Sequence, residues 1–159
     1  MRIKEVLLSS IAATSIMTAF SYLASERKKE NYREPLLLAG LINSLTTYRG
    51  SRKRLEPCGW LLHYSMGAAW SPIEYLFLRQ KRGKSDVKDS AAFGIFGGVC
   101  GLLIWDLMFK VTKYSPDTNK RRFYVHLVLA HVIYGIALQQ VMKAQIRFQE
   151  DRKPRFLLP

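Results

Sequence analysis

The feature that most constrains this chain is the segregation of its charges. Val6 to Ser25 is 20 residues with no charged side chain, and Phe123 to Met142 is another 20. Ser90 to Phe109 is 20 residues whose one charge is Asp106. Pro57 to Leu78 is 22 residues carrying one formal charge, Glu74, together with His63. A helix of 20 residues is about 30 Å long, the thickness of a bilayer's hydrocarbon core. Four such segments predict four membrane crossings.

Overall averages say something different. The net charge is +13, the isoelectric point is about 10.0 and the mean hydropathy is −0.05. Those values fit a basic soluble protein and invite a peripheral, nucleic-acid-binding reading. The clustering of charge into the connections weakens it, because a soluble surface mixes charges along the whole chain. Nucleic acid is therefore not expected as a partner. The expected fold is all-α: a four-helix transmembrane bundle, up-down-up-down, forming a single membrane domain over residues 1–159. The expected spans are 6–25, 57–78, 90–109 and 123–142, with a basic C-terminal tail over 143–159.

The first segment begins like a signal peptide, with Arg2 and Lys4 ahead of an apolar run. The run is longer than a usual signal core, and Glu26-Arg27-Lys28-Lys29 follows it as a stop-transfer cluster, so a retained helix is expected. Ser10, Thr14 and Thr18 recur at i, i+4, i+8 and share one face, a pattern that lets membrane helices approach closely. In the third segment Gly94, Gly97, Gly98 and Gly101 form two overlapping small-xxx-small pairs. No strand precedes them, so they are not a dinucleotide fingerprint. Gly67 and Gly135 complete the set of expected packing positions. Pro57 suits the first turn of a helix, and Pro72 should kink the second segment.

Between the first two segments, residues 35–45 are apolar but too few to cross, which predicts a short interfacial helix with Tyr32 and Tyr48 as anchors. Arg79, Lys81, Arg82 and Lys84 close the second segment. Cys58 and Cys100 show no metal-ligand spacing and read as buried thiols. Even crossings place both termini on one side. Twelve basic residues then fall on that side and thirteen on the other, so charge does not orient the protein. Basic residues on both faces point to anionic lipid head groups as partners, beside the bilayer itself and other membrane subunits or a second copy.

Ionisable groups inside membrane segments carry a functional hypothesis by default. The candidate polar site is His63, Asp106, His126, His131 and Glu74. Counting turns places His63 roughly 9 Å and His126 roughly 5 Å below one surface, with Asp106 at a similar depth and His131 deeper. The set could relay a proton, pass a small solute, or hold a haem or divalent metal through His63 and His131. His126 and His131 are five residues apart, about 140° around a helix, and so cannot both aim at one centre. Interhelical hydrogen bonding is the plainer role for all of them. Glu74, close to Arg79 and the interface, reads as a snorkelled or ion-paired carboxylate. Trp60, Trp70 and Trp105 read as packing or interface aromatics. No G-x-S-x-G, H-E-x-x-H or P-loop pattern occurs, so no catalytic residue is assigned and the function expected is non-enzymatic, an accessory or packing role.

Several short motifs carry a resemblance. Ala13-Thr14-x-x-Met17-Thr18, Gly59-Trp60-x-x-His63 with Gly67, Gly94-x-x-x-Gly98 with Trp105, and His131-x-x-Tyr134-Gly135 look like those of the uncharacterised YagU-like small membrane proteins of bacteria. The likeness touches all four apolar segments and not the charged linkers. It implies a multi-pass helical bundle in the bacterial inner membrane. It implies no reaction and no catalytic residue.

Overall fold

The computed structural model describes residues 3–45, 52–80, 85–112 and 114–151. Helix α1 is Ile3–Lys28, α2 is Glu34–Leu45, α3 is Glu56–Gln80, α4 is Val87–Thr112 and α5 is Lys120–Asp151. A single 3₁₀ turn, Arg52–Leu55, leads into α3. No strand occurs among the described residues. Tyr48, Lys81, Arg82, Lys84 and the end of the basic tail lie outside them.

Local chemistry sets the helix ends. Lys29 takes a φ of 55°, the left-handed turn that closes α1. Asp86 and Asp89 cap α4 reciprocally: the Asp89 N–H donates to Asp86 Oδ1 at 3.0 Å, and the Asp86 N–H donates to Asp89 Oδ2 at 3.1 Å. Asn119 caps α5, its Oδ1 accepting from the Arg122 N–H at 3.1 Å. Helix α3 runs unbroken through Pro72.

Helices α1, α4 and α5 are long and apolar enough to cross a membrane. Their outward residues are aliphatic and aromatic, such as Leu23, Leu103 and Val125, each about 60% exposed. The interior is unusually polar. On α1, Ser9, Ser10, Thr14, Thr18, Ser21 and Ser25 are all buried. An apolar exterior around a polar interior inverts the arrangement that water imposes, and it fits a lipid-facing surface. Cys58, expected inside, lies exposed on α3. A thiol on an apolar outer surface is tolerated because it is a weak hydrogen-bonding group.

Helix α5 packs against α4 and α1, while α3 rests on α1 and α2. Contact between α3 and α4 is sparse despite their short connection, and α2 leans into that seam. The α4–α5 contact is close because glycines line it. A Cβ placed on Gly94 would stand 2.5 Å from His131 O, on Gly98 2.7 Å from Val128 Cα, and on Gly135 2.6 Å from Ser90 O. Gly67 packs onto the Thr14 side chain in the same manner, joining α3 to α1. Gly97 and Gly101 instead face the His131 ring.

Candidate functional site

The loose α3–α4 seam leaves a cavity of about 230 Å³. Its apolar wall includes Met17, Leu41, Met66, Trp70, Ile104 and Trp105. Its polar groups are Glu34, His63, His131 and Tyr134. Five helices thus contribute, and α2 supplies the floor from outside the bundle.

His63 is buried at 4% exposure. Its Nε2 lies 2.9 Å from Thr18 Oγ1. The Thr18 hydroxyl spends its own proton on Thr14 O at 2.7 Å, so Thr18 accepts from His63. Nε2 therefore carries a hydrogen, and Nδ1 of a neutral ring is an acceptor. Glu34 Oε2 stands 3.7 Å from that Nδ1. A proton on the carboxyl faces a ring lone pair. Burial pushes the Glu34 carboxyl up to about 7. Its other oxygen, Oε1, is buried without a hydrogen-bond partner.

His131 is oriented by its backbone. Nδ1 lies 2.8 Å from Leu127 O, an atom that only accepts, so Nδ1 carries the hydrogen. The neutral ring then offers Nε2 as an acceptor on the side of Gly101, toward the cavity. Tyr134 donates to Gly67 O at 2.7 Å and so braces the wall between α5 and α3.

Only His63 and His131 of the five candidate residues border this cavity. His126 meets α1 one turn further along, its Nε2 3.0 Å from Ser21 Oγ. Its ring is stacked between Phe20 and Tyr32, with centroids 5.1 and 4.3 Å away. Tyr32 is thus a buried stacking partner and not a surface anchor, because its N–H donates to Ser25 Oγ and draws the chain inward. Asp106 takes a hydrogen bond from Tyr124 at 3.0 Å and pairs with Lys110 at 2.6 Å near the α4 terminus. His63, Asp106 and His126 share a depth but do not converge. Their helices turn them to different sides, and no hydrogen bond or ion pair among the described residues joins any two of them.

Glu74 corrects the snorkelling expectation. It is 0% exposed, and the polar group beside its carboxyl is the Ser90 hydroxyl. Its helix turns it inward because Ile73 and Leu76 occupy the outer face.

Sequence reasoning missed Glu34 and gave Tyr134 no role of its own. Glu34 opens a helix too short to cross, where an acidic residue reads as ordinary first-turn chemistry. A signal was present nonetheless, since Glu34 heads an otherwise apolar helix and such a helix must bury one face.

The two imidazoles do not form a paired haem or metal site, because His63 is already engaged. Both His63 nitrogens are already directed at Thr18 and Glu34. The cavity is also smaller than the roughly 300–1,000 Å³ typical of sites for larger organic ligands. Among the described residues, no group of three His, Cys, Asp or Glu side chains could hold a metal ion. Comparison with family models, with curated proteins and with solved structures gives no match.

Proposed function

We propose that this is a non-enzymatic, multi-pass membrane protein whose interior cavity takes a small, largely apolar solute bearing one hydrogen-bond donor. The observation that carries the reading is the acceptor turned to the cavity, His131 Nε2, with the Glu34 carboxyl in the same wall. A buried acceptor left unpaired costs roughly 1–3 kcal/mol, so a donor placed there binds favourably. Uptake or loss of a proton at Glu34, which faces His63 at 3.7 Å, would change the charge of the site. The same pair makes proton movement the natural accompaniment of binding.

In this reading α3 is the fourth crossing. Its 25 residues reach about 37 Å as helix. Leu61, Leu62, Met66, Ile73 and Leu76 face outward, while His63, Ser71 and Glu74 are buried. Its average hydropathy is lowered by groups that lipid never meets. The motif likeness to the YagU-like family supports placement in a bacterial inner membrane.

The test uses the tryptophans of the cavity wall, Trp70 and Trp105. Phenol and toluene are close in shape and differ by a hydroxyl donor. Titration of the detergent-solubilised protein should change its tryptophan fluorescence saturably with phenol and more weakly with toluene. His131→Leu should abolish the difference. Equal responses to the two probes would sink the reading.

A further inference from the structure

A second concavity lies on the outside of the bundle. It is a groove of about 1010 Å³ between α1 and α5, at the end where α1 finishes and α5 begins. Along α1 its wall passes from Phe20, Leu23 and Ala24 to Arg27 and Lys28. Along α5 it passes from Leu129 and Val125 to Arg121 and Arg122. On both helices the change from apolar to basic takes one turn and occurs at the same end. Leu23, Val125 and Leu129 are each at least half exposed, so the apolar stretch is an open trough.

The charges at the mouth are uneven in their commitments. Arg122 already pairs with Glu30 at 2.8 Å. The Asn119 N–H, and after it the Arg122 guanidinium, hold the Glu30 carboxyl below its ordinary range and keep it ionised. Arg27, Lys28 and Arg121 have no carboxylate partner among the described residues. The first turn of α5 adds the positive end of a helix dipole. Three uncommitted cations therefore border one end of an apolar trough.

We propose that this groove binds one anionic phospholipid. The acyl chain lies along Leu23, Val125 and Leu129, and the phosphate lies between Arg27, Lys28 and Arg121. The graded walls match such a molecule, apolar for most of its length and anionic at one end. A partner helix would have to bring acidic residues to the same point, and a zwitterionic lipid would bring a cationic head group against Arg27, Lys28 and Arg121 together with its phosphate. The inference shares only the membrane placement with the proposed function and is independent of the interior cavity.

Native mass spectrometry of the detergent-solubilised full chain tests it, using phosphatidylglycerol and phosphatidylcholine with identical acyl chains. Phosphatidylglycerol should be retained about tenfold better, as expected when several Lys or Arg side chains meet an anionic head group. The double variant Arg27→Gln/Lys28→Gln should lose most of that preference. Lys88→Gln, at the far end of α4, should keep it. Leu129→Trp fills the trough without altering charge and should weaken both lipids, which separates a groove from a diffuse basic surface. Soluble glycerol phosphate should not displace the lipid. Equal retention of the two lipids, or a preference that survives the double variant, overturns the proposal. So does displacement by glycerol phosphate, which would mark a site for free phosphate. Release of the protein from membranes by carbonate would instead overturn the membrane placement, and it reads out separately.

Discussion

His63 Nδ1 and Glu34 Oε2 stand 3.7 Å apart, and the hydrogen bond from Nε2 to Thr18 leaves Nδ1 of the neutral ring as the acceptor that faces the carboxyl. The relationship joins α3 to the short helix α2. Helix α2 is therefore a structural part of the site, held there by the packing of Leu37 and Leu41 against Trp105 and Phe109.

Titration of that pair should be visible in stability. The folded protein holds the Glu34 proton up to about pH 7, whereas a free carboxyl releases it near 4.5. The stabilisation from the raised group is complete below about 4.5 and disappears as the pH rises through 7. The melting temperature in detergent should fall across that window, and Glu34→Gln should flatten the fall. Whatever slope persists in Glu34→Gln reports other groups. An identical slope in the two proteins would mean that ionised Glu34 is fully compensated in the fold.

The fourth crossing can be checked with a native probe. Cys58 lies exposed near the start of α3, and Gln80 lies exposed at its end. A membrane-impermeant maleimide should label Cys58 and a Gln80→Cys variant, each as the single cysteine, from opposite sides of sealed vesicles. Labelling from the same side would make α3 a surface or re-entrant helix.

Helix existence was legible in the charge pattern, because each expected span lies inside an observed helix. Val6 to Ser25 falls within α1, and residues 35–45 coincide with all but the first residue of α2. The site was only partly legible. Depth along each segment follows from counting residues, and it placed His63, Asp106 and His126 in one layer. Rotation about each helix axis depends on which neighbours pack, and a sequence without its tertiary contacts does not supply that. Asp106 consequently sits at the partly exposed edge of α4 with Lys110 and Tyr124, and His126 is enclosed between two aromatic rings. Glu34 was hidden for a different reason. Its importance comes from the fold bringing α2 against α3, across a linker whose course no local pattern encodes.

Gly98→Leu should loosen the α4–α5 contact. Even a Cβ there would lie 2.7 Å from Val128 Cα, and a backbone atom cannot rotate aside. Overpacking of this kind commonly costs about 1–3 kcal/mol. Gly97→Ala meets only the His131 ring, at 3.6 Å, an ordinary contact, and should be tolerated. Thermal unfolding of both variants in detergent checks the pair. Equal stability would argue that the Gly98 face is not a helix contact.

Glu74 offers the sharpest separation between a stability role and a functional one. The side chain is fully enclosed, and the polar group beside its carboxyl is the Ser90 hydroxyl. An ionised carboxylate in such a place would cost several kcal/mol without a compensating cation. A neutral carboxyl avoids that charge penalty and leaves a smaller desolvation cost. Glu74→Gln keeps the size and removes the ionisable group, so it should leave the melting temperature unchanged or raise it. Glu74→Ala empties the position and should lower stability by about 2–5 kcal/mol, the range for large-to-small changes in a packed interior. If Glu74→Gln destabilises as strongly as Glu74→Ala, the carboxylate is charged in the folded state and something positive is bound beside it.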